Sequence, residues 1–242
     1  MSFCCGATLV AFVLCAAAAV ANAGVERVPV LATTATSALV PGTAIGKYHV
    51  LTLVPEEPRA ELEALMFFTG INLDKQQGIW IPAQAGLAVK WDSQHHWRAM
   101  PAQIVCKPSE CSLVYDDDHV LSVVPGDIVF LNVSGVVGQS NAYMEAELPL
   151  KNQTSGIAKT LPIPQSRVVG VFASVHASGV GSCVNTMPRY DTWMQRVSFT
   201  AAMNREKELP LNWNSTKPGS CGEKFTHYAT QLNIRWWDGK KH

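Results

Sequence analysis

The sequence predicts an all-β protein, a single two-sheet antiparallel β-sandwich. Three observations predict it. Short β-branched and aromatic runs recur along the chain, clusters of Gly, Pro, Asn and Asp separate them, and no useful window keeps a 3.6-residue apolar period. Nine or more strands with almost no helix bury their apolar sides only by stacking one sheet on another.

Taken in order, residues 1–23 are expected to be a secretory signal. An apolar run from Ala7 to Val20 is followed by the small-x-small pattern Ala21-Asn22-Ala23, which predicts cleavage after Ala23. The run is shorter than the roughly 20 apolar residues that span a bilayer. Residues 24–46, rich in small side chains, read as an N-terminal edge strand or a linker. The sandwich domain is then 47–242. Its strand-like runs are "YHVLTLV" (48–54), "LEALMFFTGI" (62–71), "IWIPAQAGLAV" (79–89), "WRAMPAQIVC" (97–106) and "DIVFLNVSG" (127–135). They continue with "AYMEAELPL" (142–150), "RVVGVFASVH" (167–176), "WMQRVSFTAA" (193–202) and "HYATQLNIRWW" (227–237).

Composition narrows the function classes. Nineteen Lys and Arg balance nineteen Asp and Glu without a basic stripe or charged tail, so no nucleic acid or anionic lipid partner is expected. No second apolar stretch is long enough to span a membrane, which predicts a secreted, extracellular protein without membrane attachment after signal removal. Of seven cysteines, three (Cys4, Cys5, Cys15) fall in the signal. Cys106 and Cys111 bracket the turn-like "KPSE" and are expected to staple a hairpin, leaving Cys183 and Cys221 to close a long loop. Neither pair has CxxC spacing, so two disulfides are favoured over a zinc site. The sequons at Asn132, Asn152 and Asn214 predict N-glycosylation of an exported chain.

The order of short motifs resembles that of secreted proteins related to the glutamic peptidases (eqolisins). "LTLVP" (51–55) is followed by "FFTGI" (67–71), "AQAGLAVKW" (83–91), the Trp-led "WRAMPAQIV" (97–105), "VVPGD" (123–127) and "SCVNTMP" (182–188). The resemblance spans about residues 47–202 and implies a concanavalin-like jelly roll. It also implies a chemistry in which a carboxylate acts as general base on water while a glutamine amide stabilises the oxyanion. Gln84 matches the glutamine. The glutamate's position, seven residues before Cys183, holds His176.

Within 167–176, Val169, Val171, Ala173 and Val175 share one face, and Gly170, Phe172, Ser174 and His176 share the other. An imidazole can be a general base near neutral pH, but it is protonated where an acid peptidase works. His176 with Gln84 is therefore an altered dyad, expected within about 4–6 Å if the two act together. Phe172, Ser174 and Trp91 are the expected lining of a concave groove that binds an extracellular peptide or glycan. In the alternative, an active acid endopeptidase, Gln84 works with Glu145 or Glu147, which share a strand face; a solvated sheet face is the more ordinary reading of that pair.

Other chemistry is not expected. "DDDH" (116–119) and "HH" (95–96) lack a chelating arrangement, so neither metal nor cofactor is predicted. G-x-S-x-G, H-E-x-x-H and Walker patterns are missing. Seven tryptophans (Trp80, Trp91, Trp97, Trp193, Trp213, Trp236, Trp237) keep glycan binding open, although most are expected to fill the core.

Overall fold

A computed structural model describes residues 25–27, 31–40, 45–58, 64–74, 81–91, 96–106, 111–135, 141–150, 156–163, 168–178, 192–201, 204–215, 224–228 and 230–235. The strands in chain order begin with β1 (Val25–Arg27), β2 (Leu31–Ala38), β3 (Ile45–Leu53), β4 (Ala64–Leu73), β5 (Ile81–Trp91) and β6 (Trp97–Cys106). Next come β7 (Cys111–Tyr115), β8 (Leu121–Val123), β9 (Ile128–Gly135), β10 (Ala142–Glu147), β11 (Gly156–Leu161) and β12 (Val168–Ser178). The last are β13 (Thr192–Ala201), β14 (Asn204–Glu208), β15 (Asn214–Ser215), β16 (Lys224–Tyr228) and β17 (Gln231–Arg235).

They pair into two antiparallel sheets. The first runs β1-β7-β6-β5-β4-β12-β2-β15, with β8 also on β6. The second runs β11-β10-β9-β3-β13-β17-β16, with β14 also on β13. The segment 24–46 supplies β1 at one edge of the first sheet and β2 between β12 and β15. "HYATQLNIRWW" is not one strand. Tyr228 pairs with Gln231 and Lys224 with Arg235, so the chain reverses into the hairpin β16–β17. Both arms are apolar at alternate positions, which hides a reversal from a reading based on period alone.

Period-two alternation sends one side chain in two into the space between the sheets. Phe67, Ile71, Leu87, Val89, Val171, Ala173 and Val175 from the first sheet meet Tyr48, Val50, Val129, Leu131, Met144 and Ala146 from the second in one buried cluster. Trp91 and Trp97 lie at one end of it, with ring centroids 5.5 Å apart, and Phe67 stacks on Trp97 at 5.8 Å. Trp213 joins the same cluster, so all three take the core role expected of most tryptophans. Trp80, Trp236 and Trp237 lie outside the described residues.

A polar link crosses this core. The Tyr48 hydroxyl of β3 lies 2.8 Å from Thr69 Oγ1 on β4, and Thr69 donates at 2.8 Å to the Phe172 carbonyl of β12. Burial raises the Tyr48 pKa far above its ordinary value, so the phenol stays neutral. Beside it, Gly70 and Gly86 are cross-strand partners. A Cβ on Gly70 would overlap the Ala85 carbonyl, and one on Gly86 would overlap that of Thr69.

The turn motif "VVPGD" docks on the end of "LTLVP". Gly126 N donates to the Val54 carbonyl at 3.0 Å, and Val54 N donates to the Asp127 carbonyl at 2.9 Å. Gly126 has a φ of 85°, and Asp127 N closes the turn on the Val124 carbonyl at 3.0 Å. This is the geometry a type II Pro-Gly turn requires. Two motifs some seventy residues apart therefore form one contact, which accounts for their joint presence. The Cys106–Cys111 disulfide joins cross-strand partners at the end of β6 and β7. Cys183 and Cys221 lie outside the described residues.

Two substitutions test this account by urea unfolding. Gly86→Ala should destabilise by about 3 kcal/mol or more, because its methyl has only backbone to displace. Tyr48→Phe should cost only about 1 kcal/mol, since Thr69 keeps its bond to Phe172. Equal losses for the two would contradict the assignment of a close approach at Gly86.

Candidate functional site

The core consumes one face of each sheet, so a site must be built on an outer face. On the first sheet, cross-strand register arranges the outer side chains in rows. Gly170, Asn72, Gln84 and Ile104 form one row, and Phe172, Gly70, Gly86, Ala102 and Tyr115 the next. Ser174, Phe68, Ala88 and Met100 follow, then His176, Met66, Lys90 and Arg98.

Gln84 and His176 thus share an outer face, as alternation predicts, but stand at opposite ends of it. The row of Gln84 meets β12 at Gly170, six residues from His176, which is about 20 Å at a strand rise of about 3.3 Å per residue. The expected approach to within about 4–6 Å does not occur. Gln84 instead donates through Nε2 to Asn72 Oδ1 at 2.9 Å. Asn72 has its own Nδ2 3.4 Å from the Val171 carbonyl.

His176 is 4% exposed, and among the described residues its hydrogen-bond partner is Ser174, whose Oγ lies 2.9 Å from Nε2. Ser174 Oγ also donates to the Phe68 carbonyl at 3.3 Å. With that hydroxyl proton committed, Nε2–H donates to Ser174 and Nδ1 is left as a bare acceptor, buried without a partner. Burial lowers the imidazole pKa from 6.5 to about 4, so it is neutral at physiological pH. A neutral ring whose free lone pair is shut from solvent has no water to activate.

The expected groove lining also changes. Trp91 points into the core between the sheets, because its register partners Leu65 and Trp97 lie on the inner face. Phe172 and Ser174 are on the outer face but at most 1% exposed. Phe172 meets Phe68 edge-on at 4.7 Å within a second apolar cluster that includes Met66, Met100 and Tyr115. Lys90 stands over the Tyr115 ring at 4.1 Å.

Glu145 and Glu147 lie elsewhere. They project from β10 on the outer face of the second sheet, because Met144 and Ala146, which alternate with them, enter the core. Gln84 points away from that core on the other sheet, so a Gln84–Glu145 or Gln84–Glu147 dyad has the whole sandwich between its members. This corrects the alternative of an acid endopeptidase built on those pairs. Burial first, then the neighbouring Glu145 charge, raises the Glu147 pKa.

The second sheet carries residues that the strand-by-strand reading missed. Glu145 pairs with Asn132, and Asn132 with His49, giving a polar row across β10, β9 and β3. Asn132 Nδ2 donates to Glu145 Oε2 at 3.3 Å. The next row holds Tyr143, Ser134, Lys47 and Thr200. These two rows line an open groove of about 520 Å³, with Glu208 at its side. Each strand alone shows only alternation; their adjacency depends on pairing distant segments.

Of the sequons, Asn132 is 6% exposed in mid-strand, and its Nδ2, the atom to which an N-linked glycan is attached, donates to Glu145. Asn214 is exposed on β15, while Asn152 lies outside the described residues. In "DDDH", Asp116 accepts from Lys159 at 2.8 Å and meets His119 Nδ1 at 3.0 Å. Despite some burial, the hydrogen bonds from Lys159 and His119 hold its carboxyl below the usual range. His96 is exposed, and His95 is outside the described residues.

No protein-family model matches the chain, and no curated protein does. Among solved structures it is similar to SCP-B, a member of the Eqolisin family of peptidases in a complex with the tripeptide Ala-Ile-His. Identity is 12% and the TM-score 0.49, over 88% of this chain and 100% of that one. That is the family whose motif order the sequence resembles.

The buried imidazole has a measurable consequence. Below pH 6.5 the unfolded chain takes up a proton that the folded chain refuses until about pH 4. Stability is thus whole above that window and lost as pH falls through it, by about 3 kcal/mol if burial alone sets the difference. His176→Leu should remove this share of the acid sensitivity, read as the difference in urea midpoint between neutral pH and the lower end of the window. The same loss in both proteins would show that His176 does not titrate as described.

Proposed function

We propose that the chain is a secreted, glutamic-peptidase-like β-sandwich with an altered dyad, which binds an extracellular peptide or glycan instead of cleaving a peptide bond. The order of motifs from "LTLVP" to "VVPGD" supports the peptidase-like ancestry. One observation carries the loss of the reaction: His176 stands where the resemblance calls for a carboxylate, and it is buried, neutral and bonded to Ser174.

The rest of that face supports the same reading. Among the described residues of β4, β5, β6, β7 and β12, no Asp or Glu stands in the row of Gln84 or in the rows from there to His176. A glutamine amide can stabilise an oxyanion, but it does not itself activate the water that generates one. Here the amide of Gln84 orders Asn72. Binding needs no such base. The signal at 1–23 and the paired Cys106 and Cys111 suit an extracellular setting.

The test is proteolysis of an unfolded protein substrate across roughly pH 2 to 8, the span in which carboxylates and imidazoles titrate. No cleavage above the level of a buffer blank is expected at any pH. Acid cleavage that disappears in Gln84→Ala would overturn the binding reading.

A further inference from the structure

We infer that the outer face of the second sheet is a saccharide site, taking a hydroxyl-rich glycan with neutral or amino substituents across β10, β9, β3 and β13. The inference rests on the binding reading above and gives it a place and a ligand chemistry.

Two orphaned polar atoms point to a ligand. Asn132 is 6% exposed and Thr200 9%, and both line the groove of about 520 Å³. Asn132 Oδ1 and Thr200 Oγ1 are buried without a hydrogen-bond partner. Leaving such a group unpaired costs about 1–3 kcal/mol, so an unpaired pair in one groove is unusual for a face with only a structural role. Asn132 lies on β9 and Thr200 on β13, with β3 between, so they are about 10 Å apart across two strand spacings. One compact ion cannot serve both; an extended ligand can.

The surrounding groups select among extended ligands. Asn132 Oδ1 needs a donor, whereas Thr200 Oγ1 can give or accept, and a sugar hydroxyl does both. Tyr143 is half-buried beside the polar row and offers a ring face with a hydroxyl tip, the amphipathic surface on which a sugar ring stacks. An extended peptide gains most from a free sheet edge, where its backbone continues the ladder. This groove lies over strands paired on both sides, so it presents side chains only. Glu145 and Glu208 line it against the single ammonium of Lys47, which stands over the Phe130 ring at 5.4 Å. Such a face disfavours uronic acids and accepts amino sugars.

Calorimetry at neutral pH with three probes tests this: a glucosamine hexamer, cellohexaose and a galacturonic acid hexamer. The first two should bind, the amino sugar more tightly, and the third should not. Tyr143→Ala and Glu145→Gln should each weaken binding about tenfold, equivalent to about 1.4 kcal/mol, with the melting temperature retained. Tyr143 does not enter the core, so its variant remains informative if Glu145→Gln unfolds. Binding of neither neutral nor amino hexamer, binding of the acidic hexamer alone, or affinity unmoved by both substitutions would overturn the site. Each failure is separable from that of the binding reading, which falls on acid proteolysis whatever the saccharides do.

Discussion

The burial of the two inner sheet faces against each other is the constraint on which the rest of the molecule depends. Strands β3, β4, β5, β9, β10 and β12 commit alternate residues to it. The Tyr48–Thr69–Phe172 link then fixes β3 of one sheet over β4 and β12 of the other. An apolar interface is non-directional, and many registers would bury similar area. A buried hydroxyl pair is not so tolerant, since displacement by one residue would leave a phenol or a threonine unpaired in the core.

That constraint decides where chemistry can occur. With inner faces consumed, the two outer faces point in opposite directions, and no side chain on one can reach a partner on the other. Gln84 and Glu145 are both polar groups on outward positions of adjacent-sheet strands, yet the sandwich separates them. On the first sheet the central outer rows have themselves become apolar, around Phe68, Phe172, Met66 and Met100. His176 is drawn into that environment, and its neutrality follows from burial rather than from any charged neighbour. The second sheet keeps its polar rows at Glu145, Asn132, His49, Lys47 and Thr200, so the chemically versatile surface is on the side opposite the resemblance-derived dyad.

Much of this was legible one strand at a time. Alternation along 167–176 correctly put Val171, Ala173 and Val175 inside and Phe172, Ser174 and His176 outside. The Pro-Gly turn at 124–127 followed from local dihedral preference, and the Cys106–Cys111 staple from close spacing. Trp91 was misplaced because an aromatic suits a groove as well as a core, and only its partners Leu65 and Trp97 settle which face it occupies. The C-terminal run was read as one strand because a tight hairpin between two apolar arms leaves the period intact.

The sequence by itself determined the all-β class, the in–out alternation of most strands, the local turn and the short disulfide. These depend on period two and on residues close along the chain. Tertiary structure alone decided that Gln84 and His176 share a face yet stand about 20 Å apart. It alone set Glu145 on the opposite sheet beside Asn132 and His49. Strand pairing joins segments as distant in the chain as Thr36 and Asn214, and a strand's own alternation carries no record of its neighbour.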